Sequence, residues 1–184
     1  MPADETLSLQ QRLLGRIRDV PDFPRQGVTF KDITPLLSDA EAFSQLVDAL
    51  ADLAVRHGAT TVAGLEARGF ILAAPIALRA GLGFVPVRKA GKLPGATLAQ
   101  SYELEYGSAE VEVQRDAFEP GSRVLVIDDV LATGGTLAAS IRLIRDAGAE
   151  VVAIGVLMEL GFLEGRDRLQ PLLAGAPLEA VVAV

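Results

Sequence analysis

Val124-Leu125-Val126-Ile127-Asp128-Asp129-Val130-Leu131-Ala132-Thr133-Gly134-Gly135-Thr136 is the stretch that decides the fold of this chain. Its first four residues are apolar, three of them are β-branched, and no breaker interrupts them. Such a run predicts a strand buried on both faces, and strands of that kind belong to parallel sheets. The strand ends in two carboxylates, Asp128 and Asp129. Ala132 to Thr136 then form a tight turn of small residues, and Leu137, Ile141 and Ile144 recur on one face of the helix that follows. A helix N-terminus offers unpaired N–H groups and a partial positive charge, so a glycine-permissive loop there is suited to cradle a phosphate. The hydroxyls of Thr133 and Thr136 add donors without bulk.

A buried strand ending in Asp-Asp also suits the Walker B strand of a nucleoside triphosphatase. That reading needs a Gly-x-x-x-x-Gly-Lys-Ser/Thr loop, and the chain has none. A purely structural turn would not need two adjacent carboxylates followed by Thr-Gly-Gly-Thr. Taken whole, Val124 to Thr136 resembles the diphosphoribosyl-binding signature of the type I phosphoribosyltransferases. The resemblance implies that Ala132, Thr133, Gly134, Gly135 and Thr136 hold the 5-phosphate of phosphoribosyl diphosphate, with Asp128 and Asp129 near the ribose hydroxyls.

At 184 residues the chain is expected to form one domain, 1–184, with no linker and no repeat. Charged residues make up 22% and the net charge is -7, which argues against nonspecific contact with nucleic acid or an anionic membrane. Cations that meet an anionic ligand must therefore be locally concentrated. With no cysteine there is neither a disulfide framework nor a thiol metal site, and a cytoplasmic location is expected. The acidic start, Met1-Pro2-Ala3-Asp4-Glu5, is not read as a secretory signal, and no apolar run is long enough for a membrane span.

Outward from the signature, Leu9, Leu13 and Ile17 predict a short amphipathic helix closed by Pro21, Pro24 and Gly27. An extended piece, 28–34, follows. Ser38 and Glu41 have capping-box spacing and open a long helix through Phe43, Leu46, Val47, Leu50 and Leu53. His57, the one histidine, sits beside Gly58 at that helix's expected end, which leaves no base for a Ser-His-Asp hydrolase. Thr60 to Leu65 is a second strand turning through Glu66-Ala67-Arg68-Gly69-Phe70 into a helix, and Phe84 to Val87 is a third, followed by the cations Arg88, Lys89 and Lys92. From Gly91 to Ser101 the small residues suit a mobile lid. Tyr102 to Gly107 and Ala109 to Val113 alternate with period two, as in a solvent-facing antiparallel hairpin. Gly148 marks a helix end, Val151 to Leu157 another buried strand, and Leu178 to Val184 a last short one.

Five of these motifs resemble, in order, those of the adenine phosphoribosyltransferase subgroup: the segment around Phe30, Glu66 to Phe70, Arg88 to Pro94, Ser101 to Gly107 and the signature. The fit reaches to about residue 158 and is loose from Glu159 to Arg168. It implies an α/β fold, with a central, mainly parallel sheet flanked by helices and a small flexible hood or hairpin at 91–113. It implies the conversion of adenine and phosphoribosyl diphosphate to AMP and diphosphate. Arg68, Lys89 and Lys92 would meet the diphosphate, and a non-proline cis peptide would lie at Glu66–Ala67. Phe30 would stack on adenine, with the backbone of Thr29 and Lys31 reading its edge, while Glu105 would face the reacting base as the catalytic group. Mg²⁺ would travel with the diphosphate near Asp128 and Asp129, with no direct protein cage, and a homodimer is the family's habit. The signature alone does not choose the base, so hypoxanthine, guanine or xanthine stays open beside adenine. A non-enzymatic sensor of phosphoribosyl diphosphate that binds nucleic acid is a remote third reading, for which the chain has no basic stripe.

Overall fold

The signature strand lies inside a seven-stranded sheet. The computed structural model describes residues 7–103 and 107–184. These divide into two compact units, Met1–Ala49 and Leu50–Val184. In the first, α1 (Leu9–Leu14) is followed by β1 (Arg18–Val20), β2 (Phe30–Asp32) and α2 (Thr34–Ser38), and α3 (Ala40–Arg56) begins there. The second continues with β3 (Thr61–Leu65), α4 (Arg68–Ala80), β4 (Gly83–Lys89), β5 (Thr97–Glu103) and β6 (Ser108–Gln114). It closes with β7 (Arg123–Leu131), α5 (Gly135–Asp146), β8 (Glu150–Glu159), α6 (Gly165–Leu173) and β9 (Leu178–Ala183).

In the first unit, β1 and β2 pair antiparallel, with Val20 opposite Phe30. The expected first helix is shorter than its periodicity: Gly15 caps it, and Ile17 falls in the turn before β1. A true capping box stands at its start instead, where Ser8 and Gln11 bond reciprocally. The box expected from Ser38 to Glu41 does not form. Ser38 ends α2 and its hydroxyl donates to the Pro35 carbonyl, while Asp39 Oδ1 accepts from the N–H groups of Glu41 and Ala42. A short carboxylate one residue later reaches the free amides better than the hydroxyl spent inside the preceding turn. The Ala42 N–H, helped by Arg16, holds the Asp39 carboxyl below the usual carboxylate range. A lowered folded pKa stabilises the fold above the unfolded value, and that stability is lost as pH falls through the folded one. Asp39→Ala is therefore expected to lower the midpoint of thermal unfolding by roughly 2–6 °C at neutral pH, a difference that shrinks in acid. Melting curves of both proteins from neutral to acid pH check it; an unchanged midpoint at neutral pH would remove the cap.

In the second unit the strand order is β5-β6-β4-β3-β7-β8-β9. From β4 to β9 neighbouring strands are parallel, and β6 and β5 are added antiparallel at one edge. Val124, Leu125, Val126 and Ile127 are all fully buried. Successive strand side chains point to opposite faces, so both faces of the sheet are covered there. Each such side chain contributes about 1.5–3 kcal/mol on burial. Strand β7 does not stop at its carboxylates: its ladder with β8 runs on to Leu131 opposite Glu159. Helix α4 packs on β3 and β7, and α5 on β5, β6 and β8. Leu137, Ile141 and Ile144 are buried as the helical period requires, and Gly148 follows α5 at φ +84°.

The α/β class with a mainly parallel sheet and an antiparallel hairpin holds, and one side of that hairpin is covered by the core. Strand β6 pairs with β4 as well as β5, and Val111 and Val113 are buried in the main core. The run of small residues from Gly91 to Ser101 gives its second half to strand, because Thr97 already belongs to β5. Its remaining loop is tied down: Gly91 N–H donates to Glu112, Arg88 to the Lys92 carbonyl, and Gln114 to the Pro94 carbonyl.

Candidate functional site

After β3 the chain crosses to β4 on one side, and β7 later returns to pair on the other side of β3. Ligands of parallel sheets bind where the strand order reverses in this way, beyond the carboxyl ends of the strands. A cavity of about 280 Å³ lies there. It is lined by Glu66, Ala67 and Arg68 after β3, by Lys89 at the end of β4, by Asp128 and Asp129 on β7, and by Tyr102, Val111 and Thr136. A second hollow of about 140 Å³ is lined by the loop Ala132 to Thr136 and again by Asp128.

Two helices start at these hollows without side-chain caps, α4 behind Ala67 and α5 behind Gly134. Neither N-cap residue supplies a side-chain acceptor, the kind of helix start at which an anion binds well. Gly134 stands at φ +81°, a conformation that a side chain at that position would oppose. The Glu66–Ala67 peptide is cis.

The charges are arranged in pairs. Arg68 reaches Asp129 at 2.7 Å, with the aspartate nearly covered and the arginine still about a third exposed. The Asp129 N–H donates to Asp128 Oδ1 at 2.8 Å. Burial, followed by the charge of Asp129, pushes the Asp128 carboxyl well above its usual range, and Arg68 only partly offsets this. A folded pKa above the unfolded value means that the ionised group costs stability at neutral pH, and that the cost disappears as pH falls. Asp128→Asn keeps an oxygen for the Asp129 N–H and removes the charge. It is expected to raise the thermal midpoint of the ligand-free protein at neutral pH, with a gain that vanishes in acid, while lowering turnover. A neutral-pH midpoint at or below that of the parent would contradict this.

Glu66 and Arg88 have a part that the sequence did not disclose. The Glu66 carboxylate accepts from Arg88 Nε at 3.2 Å and from the Lys89 N–H at 3.0 Å, joining the segment after β3 to the end of β4. Burial would raise the Glu66 pKa, but these donors outweigh it and hold the carboxyl below its usual value. Arg88, the first of the three cations in its loop and not one assigned to the ligand, is thus engaged in holding the wall. Tyr102 was also missed. It lies in the hairpin motif and lines the cavity, and a Cβ on Gly135 would come within 3.3 Å of its ring. Period-two alternation signals a strand, but not which alternate residue faces a ligand.

Of the residues named from sequence, Arg68, Lys89, Asp128, Asp129 and Thr136 come together in the larger cavity, and Ala132 to Thr136 line the smaller. Lys92 lines neither. Thr29, Phe30 and Lys31 belong to the first unit. There Phe30 meets Phe23 edge to face at 5.2 Å, and Lys31 pairs with Asp19 at 2.7 Å. Glu105 lies outside the described residues. Among the described residues no three His, Cys, Asp or Glu side chains converge as a metal cage. No helix among them is long and apolar enough to cross a membrane.

Comparison with known proteins gives a consistent result. The family described as phosphoribosyl transferase domain matches residues 37–171. An adenine phosphoribosyltransferase of Streptomyces coelicolor is 68% identical over 180 residues, covering 98% of this chain and 99% of that protein. The crystal structure of adenine phosphoribosyltransferase from Thermoanaerobacter pseudethanolicus superposes with a TM-score of 0.89 at 45% identity, over 96% of this chain and 100% of that one. The Saccharomyces cerevisiae adenine phosphoribosyltransferase, solved with adenine and an imino-altritol bisphosphate, gives a TM-score of 0.87 at 38% identity, over 94% and 98% of the two chains.

Proposed function

The chain belongs to the phosphoribosyl transferase family, and from that membership we propose how its residues divide the work of the reaction. The activity is that of an adenine phosphoribosyltransferase: the 5-phosphoribosyl group passes from phosphoribosyl diphosphate to adenine, giving AMP and diphosphate in purine salvage. The observation that carries the assignment of roles is the meeting of two uncapped helix starts, an acid pair, Arg68 and Lys89 around one cavity.

The loop Ala132 to Thr136 holds the 5-phosphate through backbone amides and the two threonine hydroxyls. Arg68 and Lys89 receive the diphosphate, with Lys92 brought to it from the loop at 91–96 that serves as the lid. Breaking the bond at the anomeric carbon develops positive charge on the ribose and negative charge on the leaving diphosphate. Cations and oriented N–H groups around that diphosphate therefore stabilise the transition state more than the ground state. Asp128 and Asp129 orient the ribose hydroxyls. Their hard oxygens suit Mg²⁺ held mainly by diphosphate and water. When bound, the ion would neutralise charge on the departing diphosphate. Phe30 stacks on adenine, the backbone of Thr29 and Lys31 reads its edge, and Glu105 takes the proton from its imidazole side.

The proposed working form is one phosphoribosyltransferase domain spanning the chain, with 28–34 as the base-recognition segment and 91–113 as lid and hairpin. It is a homodimer in the cytoplasm. The exposed apolar side chains Ile71, Leu78 and Phe84 on α4 and β4 supply a surface that favours self-association. Incubation with phosphoribosyl diphosphate, Mg²⁺ and each purine in turn tests the assignment. AMP from adenine is expected, with little product from hypoxanthine, guanine or xanthine, and no product from adenine would sink it.

A further inference from the structure

The segment after β8, where the sequence pattern is weakest, comes backbone to backbone against the phosphate loop. A Cβ placed on Gly165, the first residue of α6, would stand 2.1 Å from the Ala132 carbonyl oxygen and 2.9 Å from Leu131 Cδ1. The relation is mutual: a Cβ on Gly134 would stand 2.9 Å from the Gly165 carbonyl oxygen and 3.3 Å from Leu169 Cγ. Two glycines thus let the loop and the start of α6 touch backbone to backbone, with Leu131 and Leu169 fully buried beside them. No side chain fits between. Helix α6 is itself fixed, because Arg166 bonds to both carboxylate oxygens of Glu159 at the end of β8 and to the Leu178 carbonyl at the start of β9. Glu159 in turn lies opposite Leu131 in the sheet. The contact therefore runs from the sheet through α6 to the back of the loop whose residues Thr133 to Thr136 line the smaller hollow.

We infer that α6 is the back wall of the 5-phosphate cradle and that Gly165 is a positioning residue, setting where the loop amides stand for a ribose 5-phosphate. This rests on the proposed role of Ala132 to Thr136. Helix-start amides bind a phosphate only when they point at it, so a loop displaced from behind loses affinity for that group first. The cavity of the diphosphate side, which Arg68 and Lys89 line, takes no lining residue from α6.

The test is the dissociation constant of three probes, ribose 5-phosphate, AMP and inorganic diphosphate with Mg²⁺, measured by calorimetry on the full chain. The added methyl of Gly165→Ala must push the Ala132 carbonyl aside. It is expected to weaken ribose 5-phosphate and AMP by about 10- to 100-fold, the loss of one or two charge-assisted hydrogen bonds, and to leave diphosphate within about twofold. Gly83→Ala, whose Cβ meets nothing within 4 Å, is the control and should change none of the three. If Gly165→Ala does not fold, Arg166→Gln, which loosens α6 without filling the contact, should weaken the two 5-phosphate ligands by a smaller factor and spare diphosphate. Ribose 5-phosphate affinity unchanged in folded Gly165→Ala, or diphosphate weakened in parallel, overturns the inference. Failure of the parent protein to bind ribose 5-phosphate at all would instead overturn the cradle assignment beneath it.

Discussion

Glu105→Gln is expected to lower kcat for AMP formation by about 10²- to 10⁴-fold, the usual contribution of a positioned proton acceptor, with the KM for phosphoribosyl diphosphate little changed. When the imidazole nitrogen of adenine attacks the anomeric carbon, the proton of the base must leave. Glutamine keeps an oxygen that accepts a hydrogen bond, but it cannot take that proton. Residue 105 itself lies outside the described residues; β5 and β6 are described up to Glu103 opposite Ser108. Single-turnover measurements separate the chemical step from product release. A chemical rate within about twofold of the parent would show that another group handles the proton.

The second large effect is expected at Arg68. Arg68→Lys retains the charge but replaces a planar fork by a point charge on a flexible stem. The KM for phosphoribosyl diphosphate should rise about 10- to 100-fold, as expected when one or two bonds between charged groups are lost. The KM for adenine should change little. Lysine is chosen over alanine because Asp129 is nearly covered and Arg68 is its ion-pair partner at 2.7 Å. Truncation would leave a buried carboxylate uncompensated and would also remove the positive charge that restrains the rise at Asp128. With lysine, thermal stability should stay close to that of the parent, so a kinetic defect is attributable to the site. Equal KM and turnover in Arg68→Lys would take Arg68 out of diphosphate binding. The pair has a further consequence: a diphosphate that draws Arg68 toward itself leaves two adjacent carboxylates less compensated. A cation arriving with that diphosphate would meet the deficit.

The parts of the molecule that were legible in sequence are those governed by short-range rules. The run from Val124 to Ile127 predicts a strand covered on both faces, and all four residues are buried in the parallel part of the sheet. The helical spacing of Leu137, Ile141 and Ile144 and the glycine at position 148 mark the body and end of α5. Pattern and structure part company where two local signals compete. Ser38 has the spacing of a cap, but α2 extends through it and Asp39 takes the role. Gly91 to Ser101 has the composition of a loop, yet pairing with β6 makes strand of its second half.

What the sequence determined by itself is therefore the set of strand-loop-helix units and the chemistry each loop carries: small residues and threonines after β7, an arginine after β3 and a lysine at the end of β4. Periodicity, chain breakers and functional groups are properties of neighbours along the chain. Tertiary structure alone decided which loops meet, through a strand order that places β3 between β4 and β7. It also set Glu66 to hold Arg88 and Lys89, Arg68 to hold Asp129, and Gly165 to stand against Ala132. Glu66 and Arg88 are 22 residues apart, and such contacts are specified by the packing of whole elements rather than by spacing along the chain.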